Sequence, residues 1–399
     1  MRLWLREKTL PPAAKEEKLR DRRGLPEKDP GRERAVTEGV AWLLRAQEFS
    51  RSQDGGAARH YSLIDGWGNS YPETTGYIVP TLLDYARRFD DDHVRQSAKR
   101  MLDWLVSIQL ADGSFQGGTV DEKDVGPVVF DTGQILLGLT RGAQEFASGR
   151  YHEAALKTAD WLVKAQGPQG SWSRVANPYA LAGGRAYETH VAWGLLQAAR
   201  LEPNRPYAQA ALANINWALG LQRENGWFEN CCLSDHKRPL THLLGYVLRG
   251  VLEAYLHGRE PRLLKAAQKT ADGLLSALRP GGFLAGRLDS DWQEAAPWVC
   301  LTGNVQIALC WLILYESLGE EKYLRGALTA SRYVRRSMHT KGPPGIRGGI
   351  KGSFPVWGEY CPYQYINWAC KFFVDCNMRE MDLAKGLTEE DDRGENDQG

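Results

Sequence analysis

One repeated phrase restricts this chain more than any other feature. An amphipathic helix rich in Ala, Leu and Trp ends in Gln and is followed by a Gly turn and an aromatic residue. The copies are MLDWLVSIQLADGSF from Met101, TADWLVKAQGPQGSW from Thr158 and INWALGLQRENGWF from Ile215. Their Gln residues are Gln109, Gln166 and Gln222, and GVAWLLRAQ puts Gln47 in the same slot upstream. Downstream, TADGLLSALRPGGF and ASRYVRRSM put Leu278 and Met338 there, so the slot recurs six times at intervals of 56 to 62 residues. A fixed period of this length is the signature of a repeat architecture.

A second phrase alternates with the first. It opens on Thr and runs into an apolar helix, at Thr75, Thr132, Thr189, Thr241 and Thr302; in the sixth copy, INWACKFFVDC, Ile366 holds the Thr slot. Thr before an apolar run reads as a helix N-cap, its hydroxyl accepting an orphan backbone N–H. The second helices carry few charges and belong inside, whereas the first carry a polar face and belong outside. A lone helix pair cannot bury its apolar face, and no end copy has the polar outer face of a solenoid cap. The expected fold is all-α, six helical hairpins closed into an (α/α)6 toroid over residues 34–380. The charge-rich segment 1–33 and the acidic segment 381–399 are expected to be flexible ends.

Closure in this order gathers the N-termini of the inner helices at one end of the ring. The loops leading to them are the long ones: 48–74, 112–131, 168–188, 225–240, 280–301 and 342–365. Long irregular loops on a compact scaffold are where function usually lies. At or near the Thr slots stand Glu73, Thr74, Asp131, Glu188, His190, His242, Asn304, Gln306 and Asn367. Glu73, Asp131, His190 and His242 are the acid/base candidates, because carboxylate pairs and imidazoles move protons near neutral pH. Asp131 and Glu188 stand one residue before a Thr, where a carboxylate also simply favours a helix dipole. Trp67, Tyr71, Trp172, Trp227 and Trp292 are candidate aromatic walls. Glu188, Asp291, Asn304 and Tyr365 are candidate hydroxyl-binding groups, and Arg287, Arg347 and Lys351 candidate anion holders. Trp104, Trp161 and Trp217, on first helices, read as packing. The acidic Phe89–His93 stretch falls at the opposite end and reads as a solvated turn.

Composition narrows the partner. Lys and Arg number 50 against 49 Asp and Glu, which gives no argument for nucleic acid or an anionic membrane. Fourteen Trp and 16 Tyr suit the wall of a sugar cleft or of a terpene pocket equally. The seven Cys are odd in number and show no CxxC spacing, which reads as reduced thiols in a cytoplasmic protein. No defensible zinc spacing links Cys231, Cys232, His236, His242 and Cys300, so no metal and no cofactor is expected. No membrane span is expected either.

The Gln–turn–aromatic phrases QLADGSF, QGPQGSW and QRENGWF resemble the repeat of squalene-hopene cyclases and protein prenyltransferases. The cyclase acid motif has no counterpart. SYPETTGYIVPTLLDYA, VFDTGQILLGL, PLTHLLGYVLRGVLEA, CLTGNVQIALCWL and RGGIKGSFPVWGEY look like an α/α-toroid family of bacterial proteins associated with polysaccharide biosynthesis. The fold also resembles unsaturated glucuronyl hydrolases and toroidal polysaccharide lyases and epimerases. The hydrolase resemblance implies acids at the starts of successive inner helices, where Glu73 and Asp131 stand. The lyase resemblance implies an Asn/His/Tyr/Arg set, which His190, His242, Asn304, Tyr365 and Arg347 could supply. The reading is a carbohydrate-active enzyme on an oligo- or polysaccharide, with uronic acid a candidate component and the oligomeric state left open. The alternatives are a terpene or prenyl-chain enzyme, expected to show an apolar pocket with one isolated acid, and a non-catalytic glycan-binding or scaffold protein, whose carboxylates would all be engaged.

Overall fold

The computed structural model describes residues 9–123 and 125–396, with side chains to residue 384. The described residues form thirteen α-helices: α1 (Pro12–Arg22), α2 (Arg32–Glu48), α3 (Pro72–Phe89), α4 (Asp92–Ile108), α5 (Val129–Phe146), α6 (Gly149–Ala165), α7 (Thr189–Leu201), α8 (Tyr207–Leu219), α9 (Thr241–Gly258), α10 (Pro261–Ser276), α11 (Leu301–Leu318), α12 (Glu321–Ser337) and α13 (Asn367–Asn396). The odd-numbered helices from α3 to α13 pack side by side as an inner ring, and α13 returns against α3 to close it. Each inner helix pairs with the outer helix that follows it, except α13, which pairs with α2 from the other end of the chain. The expected (α/α)6 toroid is the observed fold.

The repeated phrases have a physical meaning. The side-chain amide of Gln109 donates to Gly113 O, Ala154 O and Thr158 Oγ1, tying its own turn to the next outer helix. Gln47 and Gln166 do the same one unit apart, and Gln222 donates to Ala266 O and Thr270 Oγ1 of its next outer helix. Gly113 has φ +92, and a Cβ there would strike the backbone of Lys157 on α6. Gly348, φ +81, presses in the same way on Glu38 of α2, so the sixth turn docks on the first outer helix. This is the left-handed, side-chain-free backbone that only Gly adopts without strain.

The Thr slots act differently from the expectation. None of the five inner helices α3, α5, α7, α9 and α11 carries a side-chain cap there. Thr75 and Thr132 lie several residues inside their helices. Thr75 accepts from Ala57 N at 3.0 Å and Thr132 from Phe115 N at 3.2 Å. These hydroxyls pin the loop that follows the Gly turn onto the inner helix, a tertiary task rather than a cap.

The mouth of the ring is stitched by short strands. β1 (His60–Ser62) pairs antiparallel with β2 (Gly66–Trp67) and with β5 (Gln364–Ile366), Tyr61 opposite Tyr365; β3 (Val299–Cys300) pairs with β4 (Ser353–Phe354). First loop and last loop thus join directly. The N-terminal segment, expected to be free, contributes α1, whose Glu17 and Asp21 are buried against Lys351 at 2.7 and 2.5 Å. A buried ammonium needs such partners, and the carboxylates needed for it lie in the segment read as a tail. The backbone of α13 continues to Asn396, through most of the stretch expected to be a flexible end; residues 397–399 lie outside the described residues. One described helix, α11, is long and apolar enough to cross a membrane, and it is an inner-ring helix with 78% of that stretch buried in the protein.

Candidate active site

The inner helices deliver their first turns to the floor of the mouth. A cavity of about 310 Å³ opens there, lined among others by Arg59, Tyr71, Glu73, Asp131, His242 and Tyr246. Glu73 is the second residue of α3 and Asp131 the third of α5, adjacent helices of the ring. They are 7% and 3% exposed and neither forms an ion pair among the described residues. Burial drives Glu73 up to about 7, against the opposing pull of Tyr71, which hydrogen-bonds it, and of the Arg59 guanidinium. Burial and the charge of Glu73 push Asp131 well above the carboxylate range, although Gly118 N donates to its Oδ2 at 3.1 Å. A carboxylate placed only to favour a helix dipole would be stabilised as an anion. Here the two acids line one cavity, and burial raises the proton affinity of both.

Arg59 is the cation of the site. Its guanidinium lies over the Trp368 ring at 5.1 Å and donates to Gln364 Oε1 at 3.3 Å. No carboxylate lies within ion-pair distance of it among the described residues, although its charge favours the ionised forms of Glu73 and Glu122. The aromatic wall is Tyr71, Tyr77, Phe130, Tyr187, Tyr246, Tyr360 and Trp368. Trp368 Nε1 donates to Tyr360 Oη at 2.8 Å, fixing the phenol over His242.

The two histidines part company. His242 lines the cavity, with its ring 4.7 Å from that of Tyr360 and tilted 31°. Burial and the charge of Arg287 drop it to about 3, so the ring is neutral near pH 7. His190 lies beneath the cavity in the core, fully buried, its Nδ1 paired with Gln134 Oε1 at 2.6 Å. Tyr246 stands between the two rings. The expected His pair at one point is therefore corrected: both helices begin at the slot, but α7 is entered through a tight turn, Ala186–Glu188, and α9 from the extended residue Leu240, and the two rings end in different surroundings.

Most of the other candidates prove structural. Trp172 is fully buried and donates to Leu162 O; Trp227 and Trp292 pack edge to face at 5.2 Å, and Trp67 packs between Trp42 and Tyr61. Glu188 pairs with Arg185 at 2.8 Å. Asn304 spans Gly282 O and Ala330 O in the core. Arg287 pairs with Glu359, Arg347 with Glu38, and Lys351 with the α1 carboxylates. Tyr365 is fully buried, and Asp291 sits in an exposed turn with its N–H on Asp289. None of these lines the cavity. Sequence reasoning missed Arg59, Glu122, Tyr179, Tyr246, Tyr360 and Trp368. Tyr77 and Tyr246 had a usable signal: each lies four residues, one helical turn, beyond a slot residue, Glu73 or His242. Among the described residues no group of three or more His, Cys, Asp or Glu could hold a metal ion.

No protein-family profile and no curated protein matches the chain. Solved structures do. An unsaturated glucuronyl hydrolase specific for heparin superposes with a TM-score of 0.71 at 15% identity, over 89% of this chain and 98% of that one. A cellobiose 2-epimerase from Bacillus thermoamylovorans gives 0.69 at 10% identity, over 87% and 98%. A D-mannose isomerase gives 0.68 at 12%, over 88% and 97%. The class that the fold defines is the six-hairpin α/α toroid, and these neighbours within it are carbohydrate-active enzymes.

Proposed function

We propose that the chain is a carbohydrate-active hydrolase in which Glu73 and Asp131 act as the acid/base pair on an oligosaccharide whose terminal sugar carries a negative group. The observation that carries this reading is the pair itself: two buried, unpaired carboxylates with raised proton affinity on one cavity. Perturbed acids in a cleft mark catalytic candidates, and a pair sharing a proton can both give and take one. Asp131, the harder to ionise, donates a proton to the bond being cleaved. Glu73, the easier, accepts one from the attacking water. Arg59 on its Trp368 platform receives the sugar's anionic group, and the tyrosine-rich wall offers faces for the ring.

The second acid, Asp131 beside Glu73, and the Arg59 cation argue against the terpene reading, which expects one isolated acid among apolar groups. The lack of caps or ion pairs on Glu73 and Asp131 argues against a purely structural or scaffold role. The neutral, Tyr360-covered His242 leaves proton transfer to the carboxylates.

The test is incubation with an unsaturated glucuronyl disaccharide, cellobiose and mannose, with products read by mass and chromatography. Cleavage of the anionic disaccharide with uptake of one water, lost in both Glu73→Gln and Asp131→Asn, is expected. Turnover that survives both substitutions sinks the assignment, and a product of unchanged mass identifies an epimerase or isomerase instead.

A further inference from the structure

One part of the cavity takes no share in the chemistry above. Glu122 and Tyr179 come from the second and third mouth loops and meet across the cavity opening. Tyr179 Oη donates to Glu122 Oε2 at 2.7 Å. The other carboxylate oxygen, Oε1, accepts Thr119 N at 2.9 Å and Thr119 Oγ1 at 3.2 Å. Glu122 is thus held rigidly by its own loop through one oxygen, while the second is covered by a phenol from the loop opposite.

The tyrosine side is loosely held. Tyr179 is 39% exposed in a segment without regular structure, and Leu181 beside it is 43% exposed. The chain there is fastened by Tyr179 N on Asn177 Oδ1 and Leu181 N on Leu233 O, with longer contacts of 3.4 Å from Ala180 N to Asn177 O and from Arg185 to Leu181 O. Gly118 shapes the seat. It has φ +75, and a Cβ there would collide with the Tyr179 hydroxyl and the Glu122 carboxyl. The same residue donates its N–H to Asp131. The latch therefore rests on the residue that holds the proposed acid.

We propose that Glu122 is a substrate-binding residue masked by Tyr179: an entering saccharide displaces the phenol, and a sugar hydroxyl takes its place on Glu122 Oε2. The exchange is one neutral O–H donor for another on a carboxylate, so it conserves the charge-assisted hydrogen bond. The Glu122 oxygen keeps a partner in both states, which avoids the cost of leaving it unpaired. Burial opposes ionisation of Glu122, but the bonds from Tyr179 and Thr119 outweigh it and keep it a carboxylate, the form that accepts a hydroxyl. This role rests on the carbohydrate reading above and adds a specificity determinant to it.

The test separates the two loops. Full-length wild type, Tyr179→Phe, Glu122→Gln and the double variant are titrated calorimetrically with an unsaturated glucuronyl disaccharide and with cellobiose, after a thermal melt shows each is folded. Tyr179→Phe removes the competing phenol and should tighten binding severalfold. Glu122→Gln should weaken it by about tenfold, the loss of one charge-assisted bond, and the double variant should match Glu122→Gln alone. If Tyr179→Phe instead weakens binding as much as Glu122→Gln does, the tyrosine itself grips the sugar and the exchange is wrong. If wild type binds the saccharides and Glu122→Gln binds them equally well, the binding role is wrong while the carbohydrate reading stands. If wild type binds neither sugar, both fall together.

Discussion

Glu73 shows how a single side chain can work against the fold that carries it. Its folded-state affinity for a proton is raised from 4.5 to about 7, chiefly by burial. A raised value means that the stabilising proton is bound in both states at low pH and is lost from the folded state as pH climbs through about 7. Stability should therefore fall with rising pH between those two values, by an amount on the order of 3 kcal/mol. Glu73→Gln removes the ionisation. It should be more stable than wild type above neutral pH by about 1–3 kcal/mol while losing turnover; thermal melts across pH, paired with activity, check both halves. His190 should behave in the opposite way. It is buried and bonded to Gln134 but does not line the cavity, so His190→Ala should cost about 2–4 kcal/mol of stability. The folded fraction should keep the wild-type pH–rate profile. A changed profile would return His190 to the chemistry.

At the scale of the element, the repeat was readable because it is written in groups that must be satisfied. Gln109 has amide hydrogens that only the next outer helix and its own turn can take, and Gly113 needs a backbone region closed to other residues. Such demands recur at every copy, so they appear as a period. Glu73 and Asp131 were legible for a related reason, because the repeat fixes which end of each helix faces the mouth. Arg59, Glu122 and Tyr179 were not, because they come from loops whose path is set by tertiary strands and by a phenol–carboxylate contact across 57 residues. The aromatic slots misled for the same reason: Trp172 and Trp227 follow Gly turns that tuck inward beneath the outer helices, so their indoles fill the core. Gly113→Ala tests the turn. Forcing a Cβ into that backbone should cost about 1–3 kcal/mol before any clash with Lys157 is counted. Denaturant unfolding should show it, and KM should stay unchanged because Gly113 itself does not line the cavity.

At the scale of the molecule, the ring is closed by the two ends of the chain. Helix α2 fills the outer position beside α13, and β1 pairs with β5. Helix α1 then locks the seam: Lys351 lies between Glu17 and Asp21, and Asp21 Oδ2 also accepts Val356 N at 2.7 Å. The loop so fastened runs on to Tyr360, whose backbone N–H and O both meet Ser353 Oγ, so α1 acts at a distance on a cavity wall. Lys351→Met should leave buried Asp21 without its cation and Glu17 with only Arg20 and His339, and cost about 3–5 kcal/mol. Adding Glu17→Gln and Asp21→Asn removes the stranded charges and should restore much of that loss, since a neutral, hydrogen-bonded cluster needs no counter-ion. The pH response should carry opposing signs. Burial tends to raise Glu17, but its bonds to His339 and Lys351 hold it well below the usual range, so it stabilises the fold above about pH 4.5 and that support is lost on acidification. Burial keeps Asp21 raised, so its contribution is largest in acid and fades as pH rises. The triple variant should lack both slopes. Melting curves of wild type, Lys351→Met and the triple variant across pH test the whole scheme, and equal losses in the single and triple variants would show that α1 is held by packing and not by this buried charge.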